Sequence, residues 1–114
     1  LYAPDQDYGY KNSIFVNFFG NKALTVKFPY IAVRRTNCDV YLFSLEKKNQ
    51  KYFANFKKLN ILGKNLEEDL RTINLEIEGF IRKNPDNYLW SHRRFKNRPV
   101  GEKPFYPKNL LRKR

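Results

Sequence analysis

The apolar spacing of residues 66–83 constrains the fold of this 114-residue chain more than any other feature of its sequence. Apolar residues recur there at steps of four, three, four and three, which places them on one side of an α-helix. Asn65 is a preferred N-cap residue, and Asn84 and Pro85 follow where the helix must end. The sequence therefore predicts a long amphipathic helix over residues 66–83, with a stripe made of Leu66, Leu70, Ile73, Ile77, Phe80 and Ile81.

Three segments before this helix have the composition of β-strands. Residues 13–19 are β-branched and aromatic, and Gly20 and Asn21 then predict a turn. Residues 39–45 are apolar at almost every position, which is typical of a strand buried on both faces. Residues 51–62 alternate in part and predict a further strand.

The remaining segments complete the predicted architecture. Residues 1–3 are apolar and fit the end of a strand, whereas residues 23–33 fit a broken strand or a helix whose first turn contains Pro29, and the helix is favoured. From Phe95 onward, three prolines indicate an extended tail. We therefore expect an α/β fold: a short mixed sheet with one long amphipathic helix and an irregular basic C-terminal tail.

Charge is concentrated at the C-terminal end of the chain. Residues 82–114 contain 11 of the 23 Lys and Arg residues but only two of the 11 acidic residues, Asp86 and Glu102. An excess of this kind indicates an anionic partner, which can be nucleic acid, a membrane surface or a phosphorylated substrate.

Other features exclude whole classes of protein. A single cysteine, Cys38, rules out an internal disulfide framework and a multi-cysteine zinc site. We expect Cys38 to be a small residue buried in the core. A single histidine, His92, rules out a His-rich metal cluster, and we expect neither a metal nor a cofactor. The chain contains no methionine and begins with Leu1, which favours the hypothesis that these residues are the C-terminal part of a longer protein.

The densest chemical feature is the group of cations around His92. Arginine forks bind phosphate or carboxylate through two parallel hydrogen bonds, so this group suits a phosphorylated ligand, although a solvated basic face is an equal alternative. Trp90 and Phe95 lie among the cations, where they fit stacking on bases, a lipid interface or, most simply, the core. The cations are Arg93, Arg94, Lys96 and Arg98.

Polar residues elsewhere have both chemical and structural interpretations. Asp5 and Asp7 are two residues apart in a loop and fit ligand orientation or, as the favoured alternative, an Asx-turn. His92 could act as a general base, but neighbouring cations should hold it neutral and no carboxylate near it in the sequence can orient it. A packed or hydrogen-bonding histidine is therefore favoured.

Two segments together resemble the lipid A biosynthesis acyltransferases, the lauroyl/myristoyl transferase family of Gram-negative bacteria. The first is Ala-Pro-Asp-Gln-Asp-Tyr-Gly at residues 3–9, followed by Ser-Ile-Phe-Val at 13–16 and Phe-Phe-Gly at 18–20. The second is Asn-Pro-Asp-Asn-Tyr-Leu-Trp-Ser-His-Arg-Arg-Phe-Lys-Asn-Arg-Pro at 84–99, followed by Gly-Glu at 101–102. Their order and separation resemble the C-terminal part of this family, so residues 1–114 are expected to be that part of a single acyltransferase domain.

The resemblance implies an enzyme that moves an acyl chain from acyl carrier protein onto a hydroxyl of a Kdo-bearing lipid A precursor. It also implies a place at the cytoplasmic face of the inner membrane, with an N-terminal anchor. The family uses a His-x-x-x-x-Asp/Glu motif, whereas Lys96 lies four residues after His92. The motif is absent from this sequence, because of truncation or because the chain is a degenerate, non-catalytic homologue, and the isolated chain is expected to be inactive.

The resemblance also carries over candidate site residues. We expect Asp5, Gln6 and Asp7 to shape the cleft, and some of the four cations Arg93, Arg94, Lys96 and Arg98 to meet phosphates of the lipid or of the carrier, with a structural role favoured for at least two of them. The structural alternative is that arginines tie the tail to the sheet by pairing with Asp5 or Asp7. The expected partners are acyl carrier protein, a lipid A precursor and an anionic membrane surface, which the basic residues 112–114 could touch. A small nucleic-acid-binding domain is the alternative, although no nucleic acid is expected.

Overall fold

The computed structural model describes residues 1–111, which form two β-hairpins that are each followed by a helix. Single turns of 3₁₀-helix at Pro85–Asn87 and Trp90–His92 lie in the otherwise irregular C-terminal segment. The expected mixture of helices and strands is confirmed, but the strands form two separate antiparallel sheets, β1–β2 and β3–β4, and not one mixed sheet. The elements are β1 (Ser13–Phe18), β2 (Asn21–Val26), α1 (Phe28–Thr36), β3 (Val40–Lys48), β4 (Lys51–Leu59), α2 (Leu66–Lys83) and α3 (Lys108–Leu111).

The β1–β2 hairpin overturns part of the helix prediction for residues 23–33. Phe19 and Gly20 form a two-residue turn with φ of 48° and 75°, and positive φ at both positions is the geometry that suits the twist of paired strands. Ala23 and Leu24 consequently pair with β1 as strand residues. The helix begins only at Phe28, with Pro29 in its first turn, where a missing N–H costs nothing. Residues 1–3 form no strand.

The β3–β4 hairpin is the second departure from prediction. Asn49 and Gln50 turn the chain with φ of 50° and 62°, and the register pairs Phe43 with Phe56. Residues of β3 alternate between half-buried and exposed, so the expectation of burial on both faces is wrong for the residues described. Cys38 is exposed, against prediction, because it lies in the link after the left-handed C-cap of α1 and before β3.

Helix α2 confirms the prediction at both ends. The Asn65 side chain accepts a hydrogen bond from the Glu68 N–H at 3.0 Å, which caps the helix, and Pro85 follows its C-cap. The stripe packs against β1 and the Val33 side of α1 to form the core. The buried members of the stripe are Leu70, Ile73, Ile77 and Ile81.

Three buried polar residues of α2 attach it to the loops and hairpins, which the periodicity did not predict. The Asp69 carboxylate accepts the N–H groups of Leu62 and Gly63 at 3.1 and 2.8 Å. The Asn74 amide donates to Thr25 Oγ1 at 3.2 Å, and Glu78 accepts the N–H of the Phe19 turn residue at 2.8 Å. Buried polar groups need such partners, so these contacts fix the position of α2 relative to the sheets.

Within residues 1–111, none of the helices has the combination of length and apolar character needed to span a bilayer. The basic residues 112–114, expected to touch an anionic membrane surface, lie outside the described residues.

Candidate functional site

The site is centred on Asp7, where the loop of residues 4–9 meets the basic segment of residues 92–98. The Asp7 N–H donates to His92 Nε2 at 2.8 Å. The Asn97 side-chain amide donates to both Asp7 carboxylate oxygens, at 3.0 and 3.1 Å. The Asp7 side chain is buried, and its partners lie 85 and 90 residues further along the chain. The two segments that resemble the acyltransferases therefore form one site, which we call the Asp7 clasp (Asp7, His92 and Asn97).

Asp7 also shapes its own loop. Its Oδ1 accepts the N–H of Gly9 at 2.8 Å, which is the Asx-turn expected from the sequence. Gly9 has a φ of 88°, a conformation that glycine adopts without strain. The main-chain carbonyl of Asp5 accepts a hydrogen bond from the Tyr88 hydroxyl at 3.4 Å, which gives the loop a second contact with the C-terminal segment. The loop is consequently attached to the C-terminal segment through hydrogen bonds at both Asp5 and Asp7.

Arg94 and Arg98 bind the edge of β2 that pairs with no strand among the described residues. Arg94 donates to the Leu24 carbonyl and, at 3.2 Å, to Thr25 Oγ1, while Arg98 donates to the Lys22 carbonyl at 2.6 Å. Carbonyls two residues apart on a strand point the same way, so the two guanidinium groups occupy the edge that a further strand would pair with. Arg94 and Arg98 therefore tie the tail to the sheet, but not through the carboxylates that the structural alternative specified.

The partners of these arginines differ from the prediction. Within residues 1–111, neither Arg94 nor Arg98 forms an ion pair with Asp5 or Asp7, and Arg98 pairs instead with Glu102. The physical reason is that Asp7 is already occupied by Asn97, a neutral donor that satisfies both carboxylate oxygens.

Arg93 and Lys96 have a different setting from the other two cations. Arg93 is half-buried and adopts a left-handed φ of 59° directly after the 3₁₀ turn, and Lys96 is exposed. Among the described residues, no hydrogen bond or ion pair engages either side chain. Of the four cations for which phosphate contacts were predicted, these two have no side-chain partner within residues 1–111.

Burial shifts the pKa of His92 and of two side chains near the clasp, Arg94 and Tyr88. Burial, followed by the nearby Lys96 ammonium, lowers the pKa of His92, so Nε2 keeps the lone pair that accepts the Asp7 N–H. Burial also lowers the pKa of the Arg94 guanidinium and raises the pKa of the Tyr88 phenol to about 12. His92 is thus a hydrogen-bonding histidine, as the sequence predicted.

The loop of residues 4–9 borders an apolar groove along β3. Two adjoining cavities of about 670 and 270 Å³ share Pro4, Asp5, Leu42 and Phe43 in their walls. Asp5 therefore lies at the junction of the two cavities, whereas Gln6 and Asp7 line neither. Of the three predicted cleft residues, Asp5 borders the groove directly, and Asp7 holds the loop in place. Gln6 lies half-buried between them.

The aromatic residues of the basic segment divide between surface and core. Phe95 packs beside Phe18 and stacks on Phe105 with ring centroids 4.6 Å apart, so its ring is not free to stack on a base. Trp90 is 61% exposed, which contradicts the expectation of a core tryptophan. Its ring meets Tyr88 edge-on, and its Nε1 donates to the Pro85 carbonyl at 2.8 Å.

Sequence reasoning missed Asn97, Tyr88 and Thr25 as parts of this site. None of the three carries a local pattern that would have indicated its partner, since every contact is made across most of the chain. Within residues 1–111, no cluster of three or more His, Cys, Asp or Glu side chains has an arrangement that could hold a metal ion.

Comparison with known proteins places both segments of the site in one matched region. The family model described as bacterial lipid A biosynthesis acyltransferase matches residues 1–97, which include both the loop of residues 4–9 and most of the basic segment. The chain therefore belongs to the bacterial lipid A biosynthesis acyltransferase family, and the resemblance inferred from the two segments is confirmed.

Curated relatives from Gram-negative bacteria match nearly the whole chain. It is 35% identical over 109 residues to a lipid A biosynthesis palmitoleoyltransferase of Escherichia coli K12, which covers 92% of this chain and 36% of the relative. It is 32% identical over 105 residues to a lipid A biosynthesis lauroyltransferase of the same organism, covering 88% and 34%. A lipid A biosynthesis acyltransferase of Haemophilus influenzae is 32% identical over 109 residues, covering 90% and 35%. The chain spans about a third of the length of these relatives.

Proposed function

We propose that these 114 residues are the C-terminal part of an acyltransferase domain. The enzyme moves a fatty acyl chain from acyl carrier protein onto a hydroxyl of a Kdo-bearing lipid A precursor, at the cytoplasmic face of the inner membrane. The observation that supports this most directly is the Asp7 clasp, because it unites the two segments shared with the family beside an apolar groove.

The Asp7 clasp holds the loop and the basic segment in position and contributes no catalytic group. His92 Nε2 is occupied by the Asp7 N–H, so this histidine is not placed to remove a proton from an acceptor hydroxyl. The catalytic base therefore comes from the His-x-x-x-x-Asp/Glu motif of the family, which these residues lack. We consequently expect the isolated 114-residue chain to show no acyl transfer.

Two cations are assigned to the anionic groups of the substrates. Arg93 and Lys96 have no partner among the described residues, and they lie on the same segment as the clasp. A guanidinium and an ammonium suit the phosphates of a lipid A precursor or of the carrier's phosphopantetheine arm. Arg94 and Arg98 are committed to the edge of β2 and are assigned a structural role.

The test measures acyl transfer by the complete gene product. Acyl carrier protein loaded with a fatty acid is the donor, and a Kdo-bearing lipid A precursor is the acceptor. Arg93→Ala and Lys96→Ala should each raise KM by about fivefold with little change in kcat, since a solvent-exposed charged contact contributes up to about 1 kcal/mol.

Lys103→Ala is the matched control, because Lys103 is exposed and lies outside the clasp, and its loss removes the same charge. An equal rise of KM in Lys103→Ala would mean that a diffuse positive field, and not a specific contact, binds the substrate. The absence of acyl transfer by the unaltered complete gene product would overturn the proposed function.

A further inference from the structure

The β3–β4 hairpin presents an apolar face that nothing covers within the described residues. The register places Phe43 opposite Phe56 and Leu45 opposite Ala54 on this side. The large side chains on it are between 44% and 71% exposed. We call this the outer face, and it consists of Tyr41, Phe43, Leu45, Tyr52, Ala54 and Phe56.

The opposite side of the hairpin already contributes to the core. Leu59 is a buried member of the core, and Val40 and Leu42 pack against it. The edge of β3 away from β4 pairs with no strand among residues 1–111. A two-stranded ribbon is rarely stable alone, and this one is attached to the core only at the end that carries Val40, Leu42 and Leu59. The apolar outer face is thus left exposed, although its residues are of the kind that a folded protein usually buries.

Charge on the outer face indicates what kind of partner it fits. Lys47 lies over the Tyr52 ring at 5.7 Å, and Lys58 pairs with Asp39 at 2.9 Å. Both lysines stand at the ends of the face, and the centre around Phe43 and Phe56 carries no charge. An anionic membrane or a nucleic acid would be matched by unpaired cations across the face. An uncharged centre is instead complementary to the apolar side of another protein element.

We propose that the outer face is an interface for the rest of the same polypeptide, namely the apolar side of helices from the part of the acyltransferase outside these 114 residues. This rests on the proposed function, under which the chain is one part of a longer enzyme. The relatives are about three times as long as the matched region, so an enzyme of their length would have enough further chain to supply the cover. Helices are the usual cover for the faces of an α/β sheet.

The test places a photo-cross-linking phenylalanine analogue at Phe43 or Phe56 in the complete gene product, with Tyr10 as the control position. Tyr10 is an exposed aromatic residue outside the hairpin. After irradiation, mass spectrometry should find cross-links from positions 43 and 56 to peptides of the same polypeptide outside residues 1–114. Lipid adducts, covalent dimers or a yield no higher than at Tyr10 would each overturn the proposal, as would a complete gene product of only 114 residues.

Hydroxyl-radical footprinting of the unaltered protein gives a second measurement that needs no substitution. Burial of Phe43 and Phe56 to the few per cent exposure of core residues should slow their oxidation about tenfold relative to Tyr10. Oxidation at the rate of Tyr10 would refute the interface. Acyl transfer is measured on the same sample, so slow oxidation of Phe43 and Phe56 without acyl transfer would retain the interface and reject the proposed function. Acyl transfer with fast oxidation of Phe43 and Phe56 would reject the interface and retain the proposed function.

Discussion

Arg94 should contribute more to the stability of this protein than any other cation of the basic segment. Its side chain is 3% exposed, donates to Leu24 and Thr25 of β2, and lies over the Phe18 ring at 5.3 Å. Arg94→Ala removes both hydrogen bonds and leaves the Leu24 carbonyl without that donor. Arg93→Ala is a matched control, because it removes the same charge from the adjacent residue.

The magnitude follows from these contacts. Hydrogen bonds from a charged donor contribute about 1.5–3 kcal/mol each, and the burial that lowers the Arg94 pKa offsets part of this sum. We expect Arg94→Ala to reduce the free energy of unfolding by about 3 kcal/mol, and Arg94→Lys by about half as much because an ammonium lacks the fork. Arg93→Ala should stay within about 0.5 kcal/mol, as is usual for substitutions that break no buried contact.

The assay is urea denaturation of the complete gene product and its variants, followed by far-UV circular dichroism. A loss of about 3 kcal/mol is a large part of the 5–15 kcal/mol that stabilises most domains. If Arg94→Ala unfolds at the same urea concentration as Arg93→Ala, the contacts to β2 contribute nothing net, and the structural role assigned to Arg94 is wrong.

Three further predictions concern the clasp and the core. Asn97→Asp places a second carboxylate against Asp7. In the same urea titration, it should lower the free energy of unfolding by about 1–3 kcal/mol more than Asn97→Ala does. Equal effects of the two substitutions would argue against the contact. The His92 pKa is lowered in the fold, so its stabilising effect is present above the unfolded value of 6.5 and is lost as pH falls through the folded pKa. Denaturation at several pH values should show this fall, and His92→Gln should flatten it; an unchanged pH profile would exclude His92 as the source. Leu70→Ala empties a fully buried core position and should cost about 2–5 kcal/mol, whereas the exposed Leu75→Ala should change the urea midpoint little.

The sequence predicted α2 correctly because the information that specifies it is local. Helical spacing, the Asn65 cap and the stop at Pro85 all lie within about 20 residues of one another, and each acts on its immediate neighbours. The same approach misassigned residues 23–26 as helix. Their conformation depends on pairing with β1 across a turn at Phe19 and Gly20, and such a pairing leaves little local trace.

The sequence predicted the two segments that form the candidate site but not the contacts between them. Both segments were recognised, and the Asx-turn at Asp7 and the hydrogen-bonding role of His92 are confirmed. The sequence did not indicate that Asn97 would bind Asp7, or that Arg94 would bind β2 instead of a carboxylate. A charged partner is the simple expectation for an arginine, but backbone carbonyls on a free strand edge are equally good acceptors once the fold brings them near.

The sequence alone determined the long helix, the α/β character and the family to which the chain belongs, because helical periodicity and two dense motifs are properties of neighbouring residues. Only the tertiary structure decided which cations are free and which are engaged. Arg94 and Arg98 are engaged by β2, whereas the Arg93 and Lys96 side chains have no hydrogen-bond or ion-pair partner among residues 1–111, although all four are close together in the chain. The difference arises because hydrogen-bond partners are selected by packing between segments about 70 to 90 residues apart, and residue type alone does not specify that packing.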